Sequence, residues 1–173
     1  FSPELEQQLN DYQTEFAGNL RFNGTLTGNV TDPTINGTAS LESLRLRGRD
    51  LGALSSEIAV SPLSIDIKNG LLQERDGGNI VFDVNIPRTG ENNIVVNAKL
   101  NNVNTGNILA ALPIKGKLPA QFNDFQAQTS GTINVSGLPS NLQGEANLSS
   151  NAGTINGERF DGFDARATFA GNL

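Results

Sequence analysis

The 173-residue chain carries 18 Asp and Glu against 12 Lys and Arg, a net charge of −6, and contains no Cys and no His. That balance repels a phosphate backbone and an anionic membrane surface, and no basic stretch interleaved with aromatics offsets it. Disulfides, thiol or imidazole catalysis and Cys- or His-ligated metals are absent by composition. Only 36% of residues are hydrophobic while 19 are Gly, which suits a sheet with one wet face and many tight turns better than a thick two-layer core.

Ser2-Pro3-Glu4 reads as a helix start, with Ser as N-cap, Pro in the first turn and an acid at the positive end of the dipole. Leu5, Leu9, Tyr12 and Phe16 follow at helical spacing, predicting a helix over 1–17 that Ala17-Gly18-Asn19 ends. From there the chain reads as antiparallel strands separated by turn signals. Leu20 and Phe22 begin the first, and Leu63, Ile65 and Ile67 alternate with outward Ser64, Asp66 and Lys68. Ile80, Phe82, Val84 and Ile86 then pair with Ile94, Val96, Ala98 and Leu100 across the polar loop Pro87–Asn93. Side chains alternate along a strand, so these eight share one face, opposite Asp83, Asn85, Asn97 and Lys99. A second short helix is predicted over Thr105–Leu112, with Ile108, Leu109 and Leu112 on one side and Pro113 as its stop. Ile133 and Val135, then Ala165, Ala167 and Phe169, resume the alternation.

One passage occurs twice. Thr25-Leu26-Thr27-Gly28, Ile35-Asn36-Gly37-Thr38-Ala39-Ser40-Leu41 and Leu46-Arg47-Gly48 recur as Asn134-Val135-Ser136-Gly137, Leu142-Gln143-Gly144-Glu145-Ala146-Asn147-Leu148 and Ile155-Asn156-Gly157. The first and last blocks lie 109 residues apart (137 − 28 and 157 − 48), and the spacer between blocks is two residues shorter in the second copy. Repeats of this kind stack side by side to bury a shared apolar face. The expected organisation is one continuous segment: the helix 1–17, a first repeat sheet over 18–101, a helical joint at 102–113 and a second, truncated repeat over 114–173. That second copy stops before any counterpart of Ser61–Ile67, as expected of a piece of a longer array.

Chemistry-bearing clusters are few. Glu74 with Asp76, and Asp161 with Asp164, are paired acids of the kind that hydrolyse glycosides, but with Trp 0 and Tyr 1 there is no sugar platform, and turn solubilisation is the reading taken. Asp76-Gly77-Gly78-Asn79 and Asp161-Gly162-Phe163-Asp164 match no full calcium loop. No catalytic residue, metal or cofactor is expected. The apolar face itself is the candidate site, and periodicity leaves two fates for it: a packed protein core, or a surface for apolar guests.

Gly24–Gly37 (Gly-Thr-Leu-Thr-Gly-Asn-Val-Thr-Asp-Pro-Thr-Ile-Asn-Gly), Ile133–Pro139 and Ile155–Phe163 resemble repeated passages of the TamB group of AsmA-like proteins, and Asn104–Pro113 is similar to the family's short helical joints. The resemblance covers nearly the whole chain after Gly18. Asp32-Pro33 has no Asp-Pro counterpart in the second copy, where Pro139-Ser140 stands instead. It implies an all-β, repeat-built, antiparallel curved sheet (a β-taco or trough) with two short helices. It also implies a non-catalytic role in carrying phospholipid acyl chains between inner and outer membranes and in outer-membrane biogenesis. The parent would be anchored in the inner membrane of a diderm bacterium and span the periplasm. Its partners would be further repeats and, through the parent, an outer-membrane barrel of the TamA type. The groove lining would be Leu20, Phe22, Leu63, Ile65, Ile67, Ile80, Phe82, Val84, Ile86, Ile94, Val96, Ala98, Leu100, Ile133, Val135 and Phe169. Roughly a dozen strands at about 4.8 Å would make a trough of about 55 Å. The competing expectation is a structural or adhesive β-solenoid on a secreted or surface protein, its apolar side filled by its own residues.

Overall fold

Alternation of apolar and polar residues at period two is realised as one antiparallel meander. A computed structural model describes residues 14–29, 33–46, 48–90, 93–111, 124–138 and 141–171. The strands are β1 (Thr14–Gly28), β2 (Pro33–Leu46), β3 (Arg49–Val60), β4 (Ser64–Gln73), β5 (Asn79–Pro87) and β6 (Ile94–Asn104). The helix α1 (Thr105–Ala111) comes next, then β7 (Gln126–Leu138), β8 (Asn141–Ile155), β9 (Glu158–Phe160) and β10 (Phe163–Gly171). Neighbours in sequence are neighbours in the sheet, ordered β1 to β8, with β9 and β10 both paired to β8. Among the described residues nine ladder positions span eight gaps of about 4.8 Å, roughly 38 Å, against the roughly dozen strands expected.

The helix predicted over 1–17 is corrected at its C-terminal end, where Thr14–Ala17 belong to β1. Thr14 already pairs with Leu46, and Phe16 with Leu44, so the β-prone residues there follow the ladder offered by β2 rather than a helical stripe. Leu5, Leu9 and Tyr12 lie outside the described residues. Among the described residues α1 is the single helix. Asn104 caps it, its Oδ1 accepting the Asn107 N–H at 3.3 Å.

Strict alternation fails at bulges, and the bulges decide which residues face inward. In β4 the register shifts between Ile67, opposite Val84, and Gly70, opposite Phe82. Asn69 sits between them at φ 51°, its N–H donating to Asp83 Oδ1 at 2.9 Å and its amide to Glu57 Oε1 at 3.0 Å. One extra residue flips parity, so Leu72, not Leu71, joins Ile65 and Ile67. In β6 Asn102, at φ 52°, does the same between Leu100 and Val103, its N–H donating to Ser130 Oγ at 2.9 Å. Asn tolerates the left-handed region at modest cost, which suits it to this position.

Glycines on the apolar face are overlaid by phenylalanines. A Cβ on Gly70 would lie 2.6 Å from the ring of Phe82, its cross-strand partner, and one on Gly153 would lie 2.3 Å from Phe160. The ring thus covers backbone that the glycine leaves bare. Gly70→Ala is expected to displace the Phe82 ring and cost about 1–3 kcal/mol, the range for forcing an extra carbon into a filled site. Urea unfolding measures it.

Packing is uneven along the strands. Leu41, Leu51, Leu72, Leu100, Val103 and Ala127 are buried, and all lie near the sheet end that carries α1. Leu51 and Leu72 form its centre, with Leu44, Leu54, Ile80, Phe82 and Ile108 of α1 packed around them.

Candidate functional site

Cross-strand pairing places the predicted lining residues on one face. Ile58, Ile67, Val84, Val96 and Val135 are successive partners across β3 to β7, a five-strand aliphatic row. Phe82, Ala98, Ile133, Ala146 and Ala167 form the row beside it, running from β5 across to β10. Leu20, Leu41, Leu54, Leu72, Ile80 and Leu100 make a third, nearest α1. Phe22 partners Ala39, Ile65 partners Ile86, and Ile94 partners Gly137 within the same pattern.

Leu63 is the exception. It lies in the turn before β4 and is 68% exposed, because Ser61 closes that turn through its N–H to Ser64 O (2.8 Å) and its hydroxyl accepts the Leu63 and Ser64 N–H groups. Phe169 pairs with Gly144 in β10, and its side chain lies outside the described set. Sequence reasoning passed over Leu26, Ile35, Ile58, Val60, Leu142 and Leu148, which the ladders bring to the same face. The repeated blocks held the signal, since Ile-x-Gly-x-Ala-x-Leu and Leu-x-Gly-x-Ala-x-Leu alternate, but Gly and Ala dilute it.

The two-residue difference between the repeat spacers is harmless. A shift of two along a strand preserves its face, whereas a shift of one reverses it.

Away from α1 this face is half-covered or bare among the described residues. Ile58, Ile67, Val84, Val96 and Val135 are half-buried, and at the β1 edge Leu20, Phe22 and Leu26 are 70%, 51% and 70% exposed. The opposite face is mostly polar, with Leu71, Val81, Val95 and Leu138 among its apolar exceptions, the last three 42%, 37% and 41% exposed. Shallow depressions open on that polar face: one of about 350 Å³ lined by Arg21, Asn23, Thr38, Ser40, Glu57 and Asn69, another of about 480 Å³ involving Asn36, Asp66 and Lys68. The apolar side is therefore better described as an exposed surface than as an enclosed tunnel.

The end carrying α1 is held by buried polar groups. Glu74, read from sequence as a solubilising turn acid, is only 7% exposed, and its Oε2 accepts the Asn104 N–H at 2.9 Å, tying the β4–β5 turn to the start of α1. Burial pushes its carboxyl up from the ordinary Glu value; the Asn104 N–H opposes that and Asp76 adds to it. Asp50 behaves oppositely. Burial works against its ionisation, but the Ser43 hydroxyl (3.0 Å), the Gly52 N–H (3.0 Å), Arg75 at 2.8 Å and Arg45 outweigh it and hold its carboxyl below the usual range.

For Glu74 the folded state binds the proton more tightly than the unfolded chain. Its contribution to stability is therefore full at low pH and is lost as pH rises through the ordinary Glu value to the raised folded one. Glu74→Gln keeps an acceptor for the Asn104 N–H and abolishes the ionisation. It is expected to melt higher than the parent at pH 7, with the gap closing below the ordinary Glu range. Thermal melts at several pH values check this.

No family model, no curated protein and no solved structure matches the chain, and the candidate site rests on the geometry above.

Proposed function

We propose that this chain is a non-catalytic segment that shelters phospholipid acyl chains along its apolar face during passage between the inner and outer membranes of a diderm envelope. The observation that carries the proposal is an apolar register kept across the whole ladder, while a helix caps it at one end only among the described residues. Exposing a methylene costs about 0.8 kcal/mol, so moving ~16 carbons through water costs on the order of 12 kcal/mol. A continuous aliphatic surface lowers that barrier without a nucleophile, a base or a nucleotide. The resemblance to the TamB group favours the same reading. Further repeats of the kind would extend the surface across the periplasm, with a barrel of the TamA type meeting the parent at its far end.

The meander favours this reading over a solenoid, which would stack each strand on the one a coil earlier: β1 to β8 pair antiparallel with their neighbours in sequence, and β9 and β10 both pair with β8. Native mass spectrometry of the protein purified from a membrane-containing lysate is expected to show bound phospholipid. A clean unliganded mass together with no uptake of a fluorescent acyl probe would sink the proposal.

A further inference from the structure

No charge interrupts the apolar register over most of the ladder. From the leucine row nearest α1 to the row of Val60, Ile65 and Ile86, four successive rows hold only apolar residues, Gly and Ser56. The next position on the β5 side breaks that rule. Val84 and Ile86 lead to Arg88, one step past the end of β5, where the apolar face meets water at the rim opposite α1.

Arg88 is tied to that rim. Its backbone N–H donates to Leu63 O at 2.9 Å, and its Nη1 donates to Ser61 O at 3.0 Å. The Ser61 hydroxyl braces the same turn by accepting the Leu63 and Ser64 N–H groups. The guanidinium has thus given up part of its rotamer freedom before any ligand arrives. The residue is exposed, and neither ion pair among the described residues involves it: one joins Arg75 to Asp50, the other Arg166 to Glu145. A guanidinium carries five N–H donors in a planar fork that matches a phosphate with two parallel bonds.

Spacing sets what fits beside it. Six residues separate Arg88 from Phe82 (88 − 82), about 20 Å at ~3.3 Å per residue. One leaflet of bilayer hydrocarbon is about 15 Å deep, half of the full core. A chain laid along β5 with its phosphate at Arg88 therefore covers Ile86 and Val84 and ends near Phe82. It stops short of the cluster of Leu51, Leu72 and Ile108, which protein already fills.

We propose that Arg88 holds the phosphate of a phospholipid whose acyl chains lie along the strands, head at the rim and tails towards α1. The inference rests on the acyl-chain reading and adds to it the lipid's orientation and a preference for a phosphate-bearing headgroup. Movement along the ladder is then sideways to the chains, across successive strands.

The test uses the full chain and two probes that share one fluorescent acyl chain, a phosphatidylglycerol and a diacylglycerol. The phosphatidylglycerol is expected to bind about five-fold tighter, the upper range for an exposed ionic contact. Arg88→Gln should bring it to the diacylglycerol value and leave diacylglycerol binding unchanged. Arg166→Gln, which removes the same charge from the polar face, should preserve the preference. Inorganic phosphate at matched ionic strength should not displace the phosphatidylglycerol. A nitroxide at the chain terminus should broaden the amide resonances of Ile80 and Phe82, and one on the headgroup that of Arg88.

Equal binding of the two probes by the parent, a preference that survives Arg88→Gln or is lost in Arg166→Gln, or weaker binding of both probes alike in Arg88→Gln would overturn the proposal. So would displacement by inorganic phosphate or broadening in the reverse order. Each of these leaves the acyl-chain reading standing, whereas binding of neither probe by the parent would overturn both.

Discussion

Val96→Asp is expected to abolish acyl-probe uptake, by at least ten-fold, while Asn97→Lys leaves it within two-fold. The two residues are adjacent in β6 and point to opposite faces. Val96 lies at the middle of the aliphatic row, between its partners Val84 and Val135, and is half-buried; Asn97 is exposed on the polar face between Asp83 and Asn134. A carboxylate in the path of a hydrocarbon chain must be desolvated without a partner, at several kcal/mol, and ten-fold needs only about 1.4 kcal/mol. A lysine at position 97 stays in water beside Asp83. Both variants should retain the parent's β-sheet circular dichroism, which separates loss of uptake from loss of fold. Equal uptake by Val96→Asp and the parent would remove the apolar face from the mechanism.

Leu72→Ala is expected to cost 2–5 kcal/mol, the range for truncating a buried leucine, as a fall in the urea midpoint. Leu72 is 7% exposed and forms the centre of the core with Leu51. Against a typical domain stability of 5–15 kcal/mol that loss is large. It should also free α1, since Ile108 packs on the same cluster; exchange in Thr105–Ala111 should quicken more than exchange in β6. Truncating Leu26, 70% exposed at the β1 edge, should cost far less. Similar costs at both sites would mean that the apolar face is covered along its length, and the surface reading of it would fail.

Ile80–Ile86 and Ile94–Leu100 were legible because each alternates without interruption for four apolar positions and a polar loop joins them; the observed ladder pairs Ile80 with Leu100, Phe82 with Ala98 and Val84 with Val96. Thr105–Ala111 was legible from its i, i+3, i+4 spacing and Pro113. Leu63 was misread because a turn stabilised by the Ser61 hydroxyl looks, in sequence, like one more step of alternation. Phe16 was misread because Leu5, Leu9, Tyr12 and Phe16 keep helical spacing while the decisive fact, a waiting partner in β2, lies some thirty residues away. Glu74 was taken for a solubilising acid because nothing local shows that Asn104 will return to it.

The amino-acid order by itself determined an antiparallel sheet with one oily side, a helical joint and two related halves, because period two, turn residues and repeated blocks are local properties of the chain. Which leucine of Leu71-Leu72 turns inward, where the core is dense and where the face stays bare were decided only by tertiary structure. A bulge at Asn69 or Asn102 reverses every side chain beyond it, and whether the extra residue is accommodated depends on Asp83, Glu57 and Ser130 on neighbouring strands.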